Sequence, residues 1–329
     1  MFIQAFFHAL INIREPVVDD LDLLVVGDAN PDVVLAGAPR RLAFGQREQL
    51  VAAGSLTLGG SAAILACGAA RLGLRVAFVG RVGDDAAGRF VLAALADRGV
   101  DTGGCVVDPS LPTAMTVVLV RDDDRAILTS PGCLGSLAAD DVDLELVARA
   151  RHLHVSSLFL QPRLADGIAE LFRTARAAGA GTSLDTNDDP SGRWGGGLHE
   201  LLAVTDVLLP NQREALAIAG RTDGDLAAAA HDLAARGLLP VIKCGARGAL
   251  AYAGGEPVRT GGLVVAVADT VGAGDSFDAG FLAGRLTGRD LPESLALAVA
   301  CGSLSTRAPG GIDAQPSMAE ALAAMTATP

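Results

Sequence analysis

The stretch Asp269-Thr-Val-Gly-Ala-Gly-Asp-Ser-Phe-Asp-Ala-Gly-Phe-Leu282 decides how the fold is read. Just before it, Leu263-Val-Val-Ala-Val267 is an apolar run of strand length and predicts a short buried strand. Asp269 to Gly274 then predicts a tight turn, and Phe277, Phe281 and Leu282 share one face of a following helix. Gly272, Ala273 and Gly274 put almost no side chain at that helix start. Unpaired N–H groups and the positive end of the helix dipole attract an anion there. Asp275 adds a carboxylate beside them. An anion cradle with an adjacent base is what phosphoryl transfer to a hydroxyl requires. A glycine turn that only caps a core helix, with Asp275 favouring the dipole, is the plainer reading.

Two other phosphate motifs fail. The dinucleotide fingerprint needs a third glycine where Phe277 stands. A Walker A loop needs Gly-Lys-Ser/Thr, yet Lys243 is the only lysine and Cys244 follows it.

The 329 residues allow one large α/β domain or two medium ones, and a hydrophobic share of 50% supports a sizeable core. A net charge of −12 without a polybasic tract argues against nucleic acid or an anionic membrane surface as partner. The five cysteines, at 67, 105, 133, 244 and 301, have no Cys-x-x-Cys spacing and predict small buried hydrophobes in a reducing, cytoplasmic setting. No apolar run approaches a membrane span, and residues 1–20 read as an N-terminal extension.

Leu21 to Gly27 predicts a buried strand, with Asp28-Ala-Asn-Pro-Asp32 as a polar loop past its end. Such a loop faces a ligand crevice or is an ordinary turn. A helix over 62–72 and a strand over 76–79 follow, then a glycine turn into a second helix. Residues 113–130 predict a hairpin turning at Asp122-Asp123-Asp124, which lacks calcium-loop spacing and reads as a solvated turn. From Leu144 onward helices and strands alternate, predicting a mostly parallel sheet with helices on both faces. His152 and His154 open one strand without a third metal ligand and predict a strand-edge role. Asn211 with Glu214 is a capping box in its own right.

The Asp269–Leu282 stretch resembles the C-terminal signature of the ribokinase-like (PfkB) carbohydrate kinases. Gly59-Gly60-Ser61 with the Ala-Arg-Leu-Gly that follows, and Val82-Gly-Asp-Asp85, resemble that family's N-terminal signature. The resemblance runs over about residues 22–320. It implies a three-layer α/β/α domain over 21–329, with a small β-sheet lid inserted at 31–61 and 105–133 that also forms a homodimer contact. It implies ATP-dependent phosphorylation of a sugar hydroxyl, with Asp275 as base and Gly272, Ala273 and Gly274 as phosphate cradle. Asn30, Asp32, Gly59, Gly60, Ser61 and position 64 would meet the sugar. Asp185, Asn187, Asn211, Lys243, Gly245, Gly248 and Thr270 would meet the nucleotide, with Pro190 and Trp194 in the same loop as Asp185. Glu214 would organise Mg²⁺ through water, and backbone oxygens near Asp269 and the 306–312 loop would hold K⁺.

One departure bears on the substrate. The family carries Asn where this chain has Ile64, and an apolar side chain offers no hydrogen bond to a hydroxyl. No lysine precedes residue 243, and segments 28–32 and 59–64 lack arginine. These features predict a neutral acceptor. A nucleoside kinase, a phosphosugar kinase and a non-catalytic sugar or nucleotide sensor are the alternatives.

Overall fold

Strand β1 (Leu23–Val26) is Leu-Leu-Val-Val and is buried along its whole length, as a strand covered on both faces must be. Its side chains alternate. Leu23 and Val25 join Phe78, Phe277 and Phe281 in one core, while Leu24 and Val26 join Leu153, Phe172 and Leu208 in another. Each such burial contributes about 1.5–3 kcal/mol. The structure, a computed structural model, describes residues 21–121, 124–195 and 197–326. The expected N-terminal extension and turn residues Asp122 and Asp123 lie outside them.

After β1 come β2 (Asn30–Ala36), β3 (Ala53–Gly59), β4 (Val76–Val79), β5 (Arg81–Gly83), β6 (Val106–Asp108), β7 (Met115–Arg121) and β8 (Asp124–Ser130). The second half adds β9 (His152–Ser156), β10 (Gly181–Asp185), β11 (Val207–Leu208), β12 (Leu239–Lys243), β13 (Ala249–Tyr252) and β14 (Pro257–Thr260). Eight of them form one sheet in the order β14-β13-β12-β11-β10-β9-β1-β4, parallel from β12 to β4 and antiparallel at β13 and β14. Helices Ser61–Arg71, Ala86–Ala96, Ala273–Leu286 and Leu291–Ser305 cover one face. Leu144–Arg149, Ile168–Ala177, Leu198–Leu202, Gln212–Ala219 and Leu226–Ala234 cover the other. The expected α/β/α layering with a smaller second sheet is therefore present.

That second sheet has the order β3-β2-β7-β8, with β2 and β7 parallel and the other pairs antiparallel. Strand β6, which the sequence grouped with it, pairs with β5 instead. Among the described residues no helix is long and apolar enough to cross a membrane.

Four local expectations need correction. Leu263 to Val267 forms no strand, and Val264 is 97% exposed. Its apolar residues face a cavity rather than a core, a distinction that periodicity does not carry. His152 and His154 are fully buried in the central strand β9, not at an edge. Both contact Ser183 Oγ at 2.7 Å, and burial pushes each imidazole down to about 3. The polar loop is shorter than expected, since Asn30 already starts β2. Among the cysteines, Cys105 and Cys244 are only half-buried.

Candidate active site

The parallel strands end on one side of the sheet, and the polar residues that follow them converge there. Asp28, past β1, accepts from the Ser61 and Ala62 N–H groups at 3.1 Å each and so caps helix Ser61–Arg71 from a distant strand. Asp185 ends β10, and Asn187 just beyond it accepts from Ser157 N at 2.9 Å and donates to Ser61 Oγ at 2.9 Å. Asn211 caps helix Gln212–Ala219 in a full capping box with Glu214. Lys243 ends β12 and donates to Asp185 Oδ2 at 2.6 Å and Asp278 Oδ2 at 3.0 Å.

Helix Ala273–Leu286 points its start at this crevice. Its cap Gly272 has φ +71°, and a Cβ there would lie 2.6 Å from Gly311 Cα, so only glycine fits. Gly274 is different. A Cβ on it would meet Lys243 no closer than 3.6 Å, so the fold itself does not demand glycine. A helical glycine that packing does not require costs about 1 kcal/mol and marks a place where something approaches the backbone. Ala273 N–H is taken by Thr270 O at 3.3 Å, and Ser276 N–H by Gly272 O at 2.9 Å. No backbone acceptor among the described residues receives the N–H groups of Gly274 and Asp275. At this helix start the N–H groups left without a backbone acceptor among the described residues are therefore those of Gly274 and Asp275, not that of Ala273.

Two cavities meet at Lys243, Gly245 and Gly274. One, of about 660 Å³, is polar and is bordered by Ser61, Asp185, Asn187, Asn211, Glu214 and Asp275 among others. The other, of about 460 Å³, is walled by Leu263, Val264, Val265, Val267, Phe277 and Val299, with Gly248, Thr270 and Ala273 also facing it. The apolar run mistaken for a strand is this wall. Pro190 borders a third cavity with Phe159 and Arg193, while Trp194 stands edge-on to Phe159 at 5.5 Å.

Electrostatically the polar cavity is crowded with acid. Burial pushes Asp275 up to about 7, helped by neighbouring Asp185 and opposed by Lys243 and the Ser61 hydroxyl. Burial also raises Asp278 well above the carboxylate range. Burial is the largest influence on Asp185 and raises it, but the Lys243 ammonium together with hydrogen bonds from Asp278, Lys243 and the Asn187 N–H brings the net shift down. Glu214 is raised by burial and then by Asp185. Asp278 went unnoticed in the sequence, although three residues after Asp275 on a helix is the same face.

The sugar-side residues are arranged less directly. Asn30 Nδ2 donates to Asp32 Oδ1 at 2.7 Å and to Thr116 Oγ1 at 3.2 Å, and burial pushes Asp32 up to about 6. Gly59 lies across the β2–β3 pair from Asn30, and Gly60 caps helix Ser61–Arg71. None of these four, nor Ile64, lines the polar cavity. Ile64 instead packs on the two glycine loops: a Cβ on Gly311 would lie 2.6 Å from its Cδ1, and one on Gly272 3.0 Å from its Cγ2. Ile64→Asn is therefore expected to cost about 1–3 kcal/mol by placing an amide in an apolar contact. Chemical denaturation checks this, and improved turnover of simple sugars without loss of stability would contradict it.

A magnesium ion fits Asp185 and Glu214, two carboxylates facing the same polar cavity, since Mg²⁺ needs few protein ligands beside substrate phosphates and water. Potassium fits less well. Thr306 O already accepts from both Ala268 and Asp269 N–H groups, at 2.8 and 3.1 Å, and Arg125 Nη1 lies 3.9 Å from Asp269 Oδ1. Arg125, on β8, also lines the polar cavity.

Comparison with known proteins agrees with this architecture. The profile of the pfkB family carbohydrate kinases matches residues 20–318. An ATP-dependent ribose-1-phosphate kinase of Halopiger xanaduensis is 32% identical over 284 residues, 86% of this chain and 91% of that protein. The structure of Arabidopsis thaliana ribokinase complexed with ribose and ATP superposes with TM-score 0.80 at 27% identity, covering 93% of this chain and 99% of that one. Adenosine kinase from Sinorhizobium meliloti superposes with TM-score 0.79 at 29% identity, over 94% and 100% of the two chains.

Proposed function

The chain belongs to the pfkB family of carbohydrate kinases, and we propose that it phosphorylates a hydroxyl of a sugar-like acceptor from ATP with Asp275 as general base. The observation that carries this reading is the meeting point of the two cavities. There a buried carboxylate stands beside two N–H donors that no backbone group takes up. The apolar cavity suits a flat nucleobase, and the polar one suits phosphates and acceptor.

In the proposed step the acceptor oxygen bonds to the γ-phosphorus, the bond from that phosphorus to the β-bridging oxygen breaks, and ADP leaves. The hydroxyl proton passes to Asp275. The Gly274 and Asp275 N–H groups face the charge on the phosphoryl oxygens, where fixed donors count most. Magnesium, when held by Asp185 and Glu214, neutralises phosphate charge. Lys243 is tied to Asp185 and Asp278 and fixes the helix start against β10 and β12. The small sheet closes over the acceptor and excludes water, which limits hydrolysis of ATP. Dimer formation through that sheet belongs to the same proposal, as does a nucleoside as alternative acceptor.

A coupled ADP-release assay with Mg²⁺ and ATP, run over pentoses, hexoses, sugar acids, sugar phosphates and nucleosides, tests the reading. Release that depends on one acceptor class is expected, with little in its absence. Binding of sugar and nucleotide without any ADP would make the protein a sensor.

A further inference from the structure

We propose that Ser61 and Asn187 are positioning residues for the transfer step: Ser61 turns its hydroxyl hydrogen onto the Asp275 carboxylate, and Asn187 forces that direction on it. The inference rests on the kinase reading of the same cavity, which Ser61, Asn187 and Asp275 all border. The family resemblance gives Ser61 to the sugar and Asn187 to the nucleotide, roles that would act on binding rather than on the base. The direction follows from what each group can do. Ser157 N–H lies 2.9 Å from one end of the Asn187 amide, and a backbone N–H can only donate, so that end is the oxygen Oδ1. The Ser157 hydroxyl adds a second bond to the same oxygen at 3.2 Å. The other end is therefore Nδ2, which can only donate, and it lies 2.9 Å from Ser61 Oγ. Ser61 Oγ must accept there. Its own hydrogen is left for the Asp275 carboxyl, toward which the Ser61 hydroxyl acts as a hydrogen-bond donor.

The surroundings hold this relay in place. Asp28 takes the Ser61 and Ala62 N–H groups, which fixes the backbone that carries the hydroxyl. Asn187 has φ 52° and Ser157 φ 58°, both in the left-handed region without being glycine. Such backbone persists where its neighbours over-determine it, and it gathers at functional sites. Here the neighbours are explicit: Asn187 N–H donates to Asp185 Oδ1 at 3.1 Å, and Ser157 N–H also reaches Asp185 O at 3.1 Å. Asparagine tolerates left-handed backbone better than most residues, which accounts for its presence but not for the aim of its amide at Ser61. The end of β10 thus sets the amide, the amide sets the hydroxyl and the hydroxyl sets the base. A donor on one carboxylate oxygen fixes the rotation of Asp275 and leaves the other oxygen for the acceptor's proton, and correct orientation of a reacting group is worth much in rate. The side chains involved come from the end of β10 and from the starts of helices Ser61–Arg71 and Ala273–Leu286, segments far apart in sequence.

The test combines steady-state kinetics with Mg²⁺, ATP and the best acceptor, calorimetry of ATP binding, and the carbon-13 carboxyl resonance of Asp275, identified by its loss in Asp275→Asn. The full chain is compared with Ser61→Ala, Ser61→Thr, Asn187→Gly and the double variant of Ser61→Ala with Asn187→Gly. Glycine removes the amide at a backbone angle it adopts freely. Ser61→Ala is expected to lower kcat roughly 10- to 100-fold, the worth of a hydrogen bond to a charged group, with acceptor KM and ATP affinity within about threefold. Ser61→Thr keeps a hydroxyl and should stay within about threefold of the native kcat. Asn187→Gly should lower kcat by roughly 3- to 10-fold, yet add almost nothing in the Ser61→Ala background, because it acts through that hydroxyl. Both Ser61→Ala and Asn187→Gly should shift the Asp275 resonance. A raised acceptor KM at native kcat would make Ser61 a sugar contact and overturn the inference. Losses that multiply in the double variant would overturn it too, as would an Asp275 resonance that neither variant moves. A protein that releases no ADP with any acceptor, but whose Asp275 resonance shifts in both variants, would sink the kinase reading and leave the relay standing.

Discussion

Asp275→Asn is expected to lower kcat by roughly 10² to 10⁴, the usual worth of a positioned general base, while nucleotide affinity stays within a few-fold. Asn keeps the shape and the backbone N–H but has no basic oxygen. Because burial, and then Asp185, pushes Asp275 up to about 7, the base form is depleted below that pH. The native kcat/KM should fall roughly tenfold per pH unit on that side, and the residual activity of the variant should lack the limb. The same shift has a consequence for stability. The folded state binds this proton more tightly than the unfolded chain does. Its contribution is complete below the ordinary 3.8 and is lost as pH rises through about 7. Above that pH the native protein carries a buried charge that Asn removes, so the variant should melt higher at pH 8. Near-native turnover with the limb intact would remove Asp275 from the chemistry.

Lys243→Met should be among the most destabilising single changes, costing about 3–5 kcal/mol at pH 7. The ammonium is the shared partner of Asp185 and Asp278, which are 1% and 0% exposed. One oxygen of Asp278 already lacks a partner, and oxygens of Asp185, Asp275 and Asp278 lie within 4.8 Å of one another. Without the lysine these acids must repel or take up protons. Chemical denaturation measures the cost. A companion change, Asp278→Leu, should recover part of it, because replacing a buried pair with apolar groups is often neutral. If Lys243→Met alone stayed within about 0.5 kcal/mol of the native protein, the ion cluster would have no structural role.

Much of this was legible before any coordinates. Strand β1, the helix start at Gly272 and the Asn211–Glu214 cap each rest on local chemistry that sequence spacing expresses directly. What stayed hidden depends on residues distant in sequence. Leu263 to Val267 has the composition of a core strand, and only the cavity beside it distinguishes the two. Asp28 reads as a turn former until helix Ser61–Arg71 places its N–H groups above it. The resemblance places position 64 against the sugar, whereas the Ile64 side chain packs on Gly272 and Gly311.

The most direct test of the central claim is a phosphorus NMR time course with Mg²⁺, ATP and the best acceptor from the screen. The account predicts a phosphomonoester resonance of the acceptor that grows one for one with ADP, and almost no inorganic phosphate. ADP matched by inorganic phosphate alone, or unchanged ATP while calorimetry still shows the acceptor bound, would contradict it.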